Sequence, residues 1–184
     1  TNDDWATDSV AASALSTLFS EVGAFPLDTV SADAALGPVL TSGAYTFHLR
    51  GKDGAQGVAL GEVYEVGGAG GPRMVNVSAR TGVGVNDDVL IGGFVIVGPA
   101  PKTVLVRAVG PGLTRFGVPG VLANPVLRIY RTGVDVPIFQ NDDWGSTAYA
   151  DQIVATAERI GAASLASGSK DAALLLTLPH GVYT

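Results

Sequence analysis

Apolar residues recur at helical spacing in two places along the chain. Val10, Ala14, Leu18 and Val22 fall on one face of a helix, and Tyr149, Ile153, Ala157 and Ile160 do the same. Thr7 or Asp8 precedes the first stretch as an N-cap, and Ser146 or Thr147 precedes the second. Gly23 and Gly161 stand where a left-handed residue closes a helix. The pattern predicts one short amphipathic helix at each place.

Between and after the helices the pattern shifts to short extended runs. Residues 45–50, 58–66, 73–80, 89–97, 102–109, 126–131, 137–140 and 171–178 read as strands, with a bulge near Gly61. Residues 73–80 alternate cleanly, whereas 89–97 is apolar on both faces and reads as a central strand. Gly51–Gly54, Pro99–Pro101 and Pro179–Gly181 punctuate the runs as turns, and residues 110–124 form a long Gly/Pro loop. About eight short strands at roughly ten-residue spacing, with a helix over them, predict a mainly β fold: an antiparallel β-sandwich or jelly-roll-like module. Helices do not alternate with strands, which argues against a parallel α/β sheet.

The two helical stretches belong to two copies of one segment. Asn2-Asp3-Asp4-Trp5 recurs as Asn141-Asp142-Asp143-Trp144, an offset of 139 (141 − 2). From Gly23 onward the offset is 138 (161 − 23), and 12 of the 24 positions in 23–46 are identical in 161–184, far above chance. Residues 1–46 and 140–184 are therefore equivalent, and 47–139 occurs once. The expected organisation is one repeat unit of about 138 residues over 1–139, then the start of a second copy over 140–184. That second copy either completes a neighbouring unit or replaces the first on the 47–139 body. The opening inside a polar loop and the end within a strand read as an excised or processed piece of such an array, with no signal peptide recognisable.

Composition narrows the setting. Hydrophobic residues make up 47% of 184 positions, enough for a core, and charged residues only 15%. Net charge is −6 with no basic stripe, which argues against nucleic acid and anionic membranes as partners. No apolar run approaches the ~18 residues of a membrane span, so no membrane insertion is expected. Cysteine is absent, which removes disulfides, thiolate metal sites and cysteine nucleophiles. Low charge with much Gly, Ser, Thr, Val and Ala leans towards an extracellular location.

Reaction chemistry is hard to find. His48 and His180 are the only histidines and have no evident partner. There is no nucleophile elbow or metal-binding histidine pair, and the glycine clusters at 67–71 and 110–112 lack a phosphate loop's lysine. Asn86-Asp87-Asp88 reads as a tight turn, and Asn76-Val77-Ser78 as a strand segment rather than a glycosylation site. An enzyme is not expected. The candidate ligand positions are the two acidic loops. Asn2, Asp3, Asp4 and Asp8, and again Asn141, Asp142, Asp143 and Asp151, place oxygen-bearing side chains in sequence, as Ca²⁺ requires. The competing reading is an Asx-rich turn leading into a helix. Trp5 and Trp144 are candidates for stacking on a sugar, or else anchor each helix to the sheet.

The strings NDDW, DAALLLTLPHGVYT, GVALGEVYEV, RMVNVSAR, VLIGGFVI, KTVLVRAVGPGL and GVLANPVLRIY resemble tandem β-sandwich modules of very large secreted or surface proteins of environmental bacteria. The run LRIYRTG…NDDW also looks like the strand and acidic loop of pre-peptidase-type sandwich domains, some of which bind calcium there. The resemblance implies architecture and a bacterial cell-surface location, and carries over no catalytic residue.

These readings lead to a non-catalytic structural or adhesive repeat of an extracellular protein. Leu174, Leu175, Leu176, Leu178 and Tyr183 would form the assembly segment, pairing with neighbouring copies of the chain by strand addition. Head-to-tail pairing of this kind does not close and gives filaments. The alternative is a carbohydrate-binding accessory module of a secreted enzyme, with a polysaccharide as partner.

Overall fold

The computed structural model describes residues 1–67, 71 and 73–184, which excludes most of the glycine cluster at 67–71. The chain forms two compact units, Thr1–Ser78 and Ala79–Thr184. Their boundary lies within the stretch that occurs once, not at the repeat junction near residue 139. The second copy of the repeat therefore shares a unit with the later part of the body.

In the first unit the main element is helix α1, Ser9–Val22. Asp8 caps it, its carboxylate accepting from the N–H groups of Val10 and Ala11, and Gly23 closes it in the left-handed region. Its inward face carries Ala12, Leu15, Leu18, Phe19 and Val22, so Leu18 and Val22 of the expected face turn inward while Val10 and Ala14 are exposed and Phe19 packs on Trp5. Beyond α1 the chain is extended but irregular. None of the strands expected at 45–50, 58–66 and 73–80 forms, and only a 3-10 turn at Lys52–Gly54 is regular. Strand pattern alone does not make a strand, because an extended segment needs a partner to satisfy its backbone groups.

The second unit has that pairing. Its strands are β1 (Phe94–Ile96), β2 (Lys102–Ala108), β3 (Leu127–Ile129), β4 (Phe139–Asn141), β5 (Ala172–Leu178) and β6 (Gly181–Tyr183), with helix α2 at Ala150–Arg159. All pairing is antiparallel, as expected: β1 with β6, β2 with β5, and β3 with β4. The pairs remain three separate two-stranded sheets, so among the described residues there is no closed sandwich. The Asn86 turn holds as read, with Asn86 in the left-handed region and Asp88 C=O accepting from Gly84 N–H. No helix is long and apolar enough to cross a membrane among the described residues.

Helix α2 begins after Tyr149, later than the Ser146 or Thr147 cap the sequence suggested. Trp144–Ser146 instead form a 3-10 turn. Ala150, Ile153 and Ala157 face inward while Tyr149 and Ile160 stay exposed. Three inward positions of the two helices correspond through the repeat, Ala12 to Ala150, Leu15 to Ile153 and Phe19 to Ala157, whereas Val22 is half-buried and its counterpart Ile160 exposed.

Strand β5 divides the core of this unit. Leu174, Leu176 and Leu178 point to one side, joining Ile96, Ile129, Val104, Val106 and Tyr183. Ala173 and Leu175 point to the other, joining Trp144, Ile153 and Leu105. Leu178 is 2% exposed and its repeat equivalent Leu40 is 51% exposed. Leu178→Ala should cost about 2–5 kcal/mol of stability, the usual range for emptying a packed leucine site. Leu40→Ala should cost under about 0.5 kcal/mol, as surface changes do. Denaturant titrations of the two variants check the contrast.

Candidate functional site

The two NDDW loops and the segments they grip form the most organised constellation in the molecule. Asn2 and Asn141 do the same thing: each side-chain Oδ1 accepts a backbone N–H from its own copy, from Ala35 at 3.0 Å and from Ala173 at 2.9 Å. The backbone N–H of Trp5 donates to Asp33 C=O, and that of Trp144 to Asp171 C=O, both at 2.9 Å. The indole N–H of Trp5 donates to Asp28 C=O, and that of Trp144 to the equivalent Ala166 C=O. Thr7 and Ser146 hydroxyls donate to the carbonyls of Asp4 and Asp143. Ser31 and Ser169 hydroxyls donate to Oδ2 of Asp33 and Asp171, both at 2.7 Å. Tyr45 and Tyr183 hydroxyls donate to the carbonyls of Thr41 and Pro179. Each bond maps onto its counterpart by the repeat offset. Identical side chains at Asn, Trp, Ser, Asp and Tyr therefore build one latch twice.

That latch settles where the candidate residues lie. Asn2 and Asn141 are committed to backbone amides, and Asp8 to the α1 cap. Asp3 sits 3.0 Å from Lys52 Nζ, with Asp4 at 3.9 Å. Asp143 Oδ2 sits 2.6 Å from Lys170 Nζ, while Asp142 and Asp151 are exposed. Hydrogen bonding to Lys52 and its charge hold the Asp3 carboxyl below its ordinary pKa, and Asp3 raises Lys52 in return. Lys170 is raised chiefly by its bond to Asp143. These pairs are exposed enough that each adds little to stability. Among the described residues no group of three or more acidic or histidine side chains converges on a metal position. Asp143 Oδ1 is buried without a hydrogen-bond partner, the one feature of either loop that a cation would satisfy.

Trp5 and Trp144 are both buried, with Nε1 bonded inside the protein. Neither presents a ring face, so neither is a sugar platform. Trp144 anchors α2 to β5, as the competing reading described, whereas Trp5 packs on Phe19 of α1 in a unit where no strand forms among the described residues. Tyr149 and Phe139 instead flank an open groove of about 350 Å³ beside β5.

Sequence reading missed the part of the second copy that grips the body. Asp171 is fully buried, and its Oδ1 accepts from Gly110 N–H at 2.8 Å and Gly112 N–H at 3.0 Å. The loop is shaped for it. A Cβ on Gly110 would lie 2.1 Å from Leu122 O, and one on Gly112 would lie 3.0 Å from Asp171 Oδ2. Glycine is required there so that the loop can close on the carboxylate, not to reach positive φ. The signal available in the sequence was an aspartate kept in both copies beside otherwise apolar residues.

The expected assembly residues all lie within this grip. Leu174, Leu176 and Leu178 fill one side of β5 and Leu175 the other. Tyr183 stacks on Phe94 with ring centroids 5.4 Å apart. The copy seated on residues 79–139 is thus the second one. No family model, curated protein or solved structure matches this chain.

Proposed function

We propose that this chain is a non-catalytic structural or adhesive repeat, in which the latch-and-strand segment is the joining piece between successive units. One observation supports the reading above the others. The 140–184 segment lays β5 on β2 and β6 on β1, while its twin keeps the same latch with its apolar strand residues uncovered. A segment that occurs twice for one seat is what a head-to-tail array needs. In such an array the extended chain of the first unit would find strand partners and the sandwich would close. A bacterial cell-surface location accords with the low charge, the abundance of small residues and the resemblance to tandem surface modules.

Sedimentation of the purified chain over a wide concentration range tests this, with electron microscopy of the concentrated sample. Open-ended, concentration-dependent species are expected. A single monomeric species throughout would overturn the reading.

A carbohydrate-binding accessory module is the second reading, and Tyr149 and Phe139 at the β5 groove favour it. Co-sedimentation with insoluble polysaccharides, compared with Tyr149→Ala, is its check. Calcium is a subordinate proposal at the Asp142–Asp143 loop, where it would meet the unpartnered Asp143 Oδ1. Binding to the folded state raises the melting temperature by mass action, about 2.7 kcal/mol of stabilisation at one hundred times Kd. A rise with calcium, reversed by EDTA and lost in Asp143→Asn, is expected; a flat titration removes the site.

A further inference from the structure

Asp33 is the repeat equivalent of Asp171 and shares its local bonds. It has the same serine on Oδ2 and the same tryptophan N–H on its carbonyl. The difference lies outside the latch. Asp171 Oδ1 is closed over by Gly110 and Gly112, whereas Asp33 is exposed. The same holds further along: Tyr183 is 1% exposed and Tyr45 57%. The first copy thus has the lock residue and the terminal tyrosine of the joining segment already placed, without a seat around them.

We propose that residues 33–46 are a docking segment for the β1–β2 face of a second copy of this chain. In that seat Asp33 enters the partner copy's glycine loop, and the register is that of β5 and β6. The proposal rests on the head-to-tail reading and specifies its contacts. Repeat equivalence gives the register: Val39 would stand at the Thr177 position, opposite Thr103, and Tyr45 at the Tyr183 position, opposite Phe94.

The two copies are not equal competitors for the seat. Ala173 N–H turns sideways to Asn141, so alternation along the strand assigns the ladder to residues 172, 174, 176 and 178. Pro38 occupies the Leu176 position, and its missing N–H is one the ladder uses. Gly37 replaces Leu175, which removes apolar area from the side facing α2. Residues 33–46 are the weaker occupant, which explains why the chain's own second copy holds the seat. Exchange between molecules therefore requires that copy to loosen.

The absence of cysteine allows a clean test. Thr103 and Thr177 are an exposed, non-hydrogen-bonded pair whose hydroxyls lie 2.9 Å apart, a geometry suited to a cross-strand disulfide. Full-length Thr103→Cys/Thr177→Cys should close within one chain and serves as the control. A Val39→Cys chain is then mixed with a Thr103→Cys chain under mild oxidation. The mixed disulfide dimer should form, rise several-fold when the Thr103→Cys chain also carries Leu178→Ala, and fall several-fold when the Val39→Cys chain carries Asp33→Ala. No mixed dimer with the loosened chain, while the control closes, overturns the inference; so does a dimer indifferent to Asp33→Ala. If wild-type chain still assembles in sedimentation while the mixed dimer fails, this contact is wrong and the repeat reading stands. If neither occurs, both fall.

Discussion

Asp171→Ala is expected to destabilise the second unit by about 2–5 kcal/mol, because the Gly110 and Gly112 amides both lose their acceptor and each stranded amide costs roughly 1–3 kcal/mol. Ser169 also loses the oxygen its hydroxyl donates to. The glycine loop cannot easily re-pair, since Gly110 lies tight against Leu122 O. Asp171→Asn keeps a carbonyl oxygen for the two amides and should cost less than the alanine change. Asp33→Ala removes only an exposed serine contact, so its expected cost is within about 0.5 kcal/mol. The pair of aspartates, equivalent in the repeat and in their serine and tryptophan contacts, separates what the latch contributes from what the seat contributes. Urea titrations of the three variants give the comparison, and equal losses at Asp33 and Asp171 would show that the glycine loop is not the source.

Trp144→Ala should be at least as damaging, at about 3–5 kcal/mol, the range for emptying a large buried aromatic site. Trp144 fills the space between Ile153, Ala173, Leu105 and Leu165, and its indole N–H meets Ala166 C=O and Ser169 Oγ. Trp5→Ala should be similarly damaging to the first unit, since that indole is buried with its own carbonyl partner and Phe19 against it. The chain has only two tryptophans, one in each unit. Each alanine variant therefore leaves a single fluorophore reporting on the other unit, so emission from the surviving indole and far-UV circular dichroism separate the two transitions. A sugar-stacking role would predict the opposite, little change in stability at either site.

The sequence pattern was most informative where the physics is local. Asp8 as N-cap, Gly23 as the left-handed closure, the two helices and the turn at Asn86 all depend on residues a few positions apart. Strands were legible only where a partner exists. The runs at 102–109 and 171–178 became β2 and β5 because they pair with each other. Residues 45–50, 58–66 and 73–80 also read as strands, 73–80 with clean alternation, and stay irregular, since nothing in the pattern specifies what lies alongside. The acidic loops illustrate the same limit. Three oxygen-bearing residues in a row suit a cation on paper, yet the side chain of Asn2 or Asn141 turns inward to a backbone amide supplied 33 or 32 residues later.

By itself, the sequence determined that residues 1–46 and 140–184 are one segment used twice, and the latch hydrogen bonds follow that equivalence because every donor and acceptor in them comes from the same copy. Tertiary structure alone decided which copy is seated. Asp171 and Asp33 are the same residue in the same turn, but only Asp171 meets the amides of Gly110 and Gly112. The reason is that the seat compares the two strands over their whole length. Leu174–Leu178 offers an unbroken ladder and leucines on both faces, whereas Leu36–Leu40 interrupts both with Gly37 and Pro38. Which of two related segments suits that face becomes visible only once the face exists.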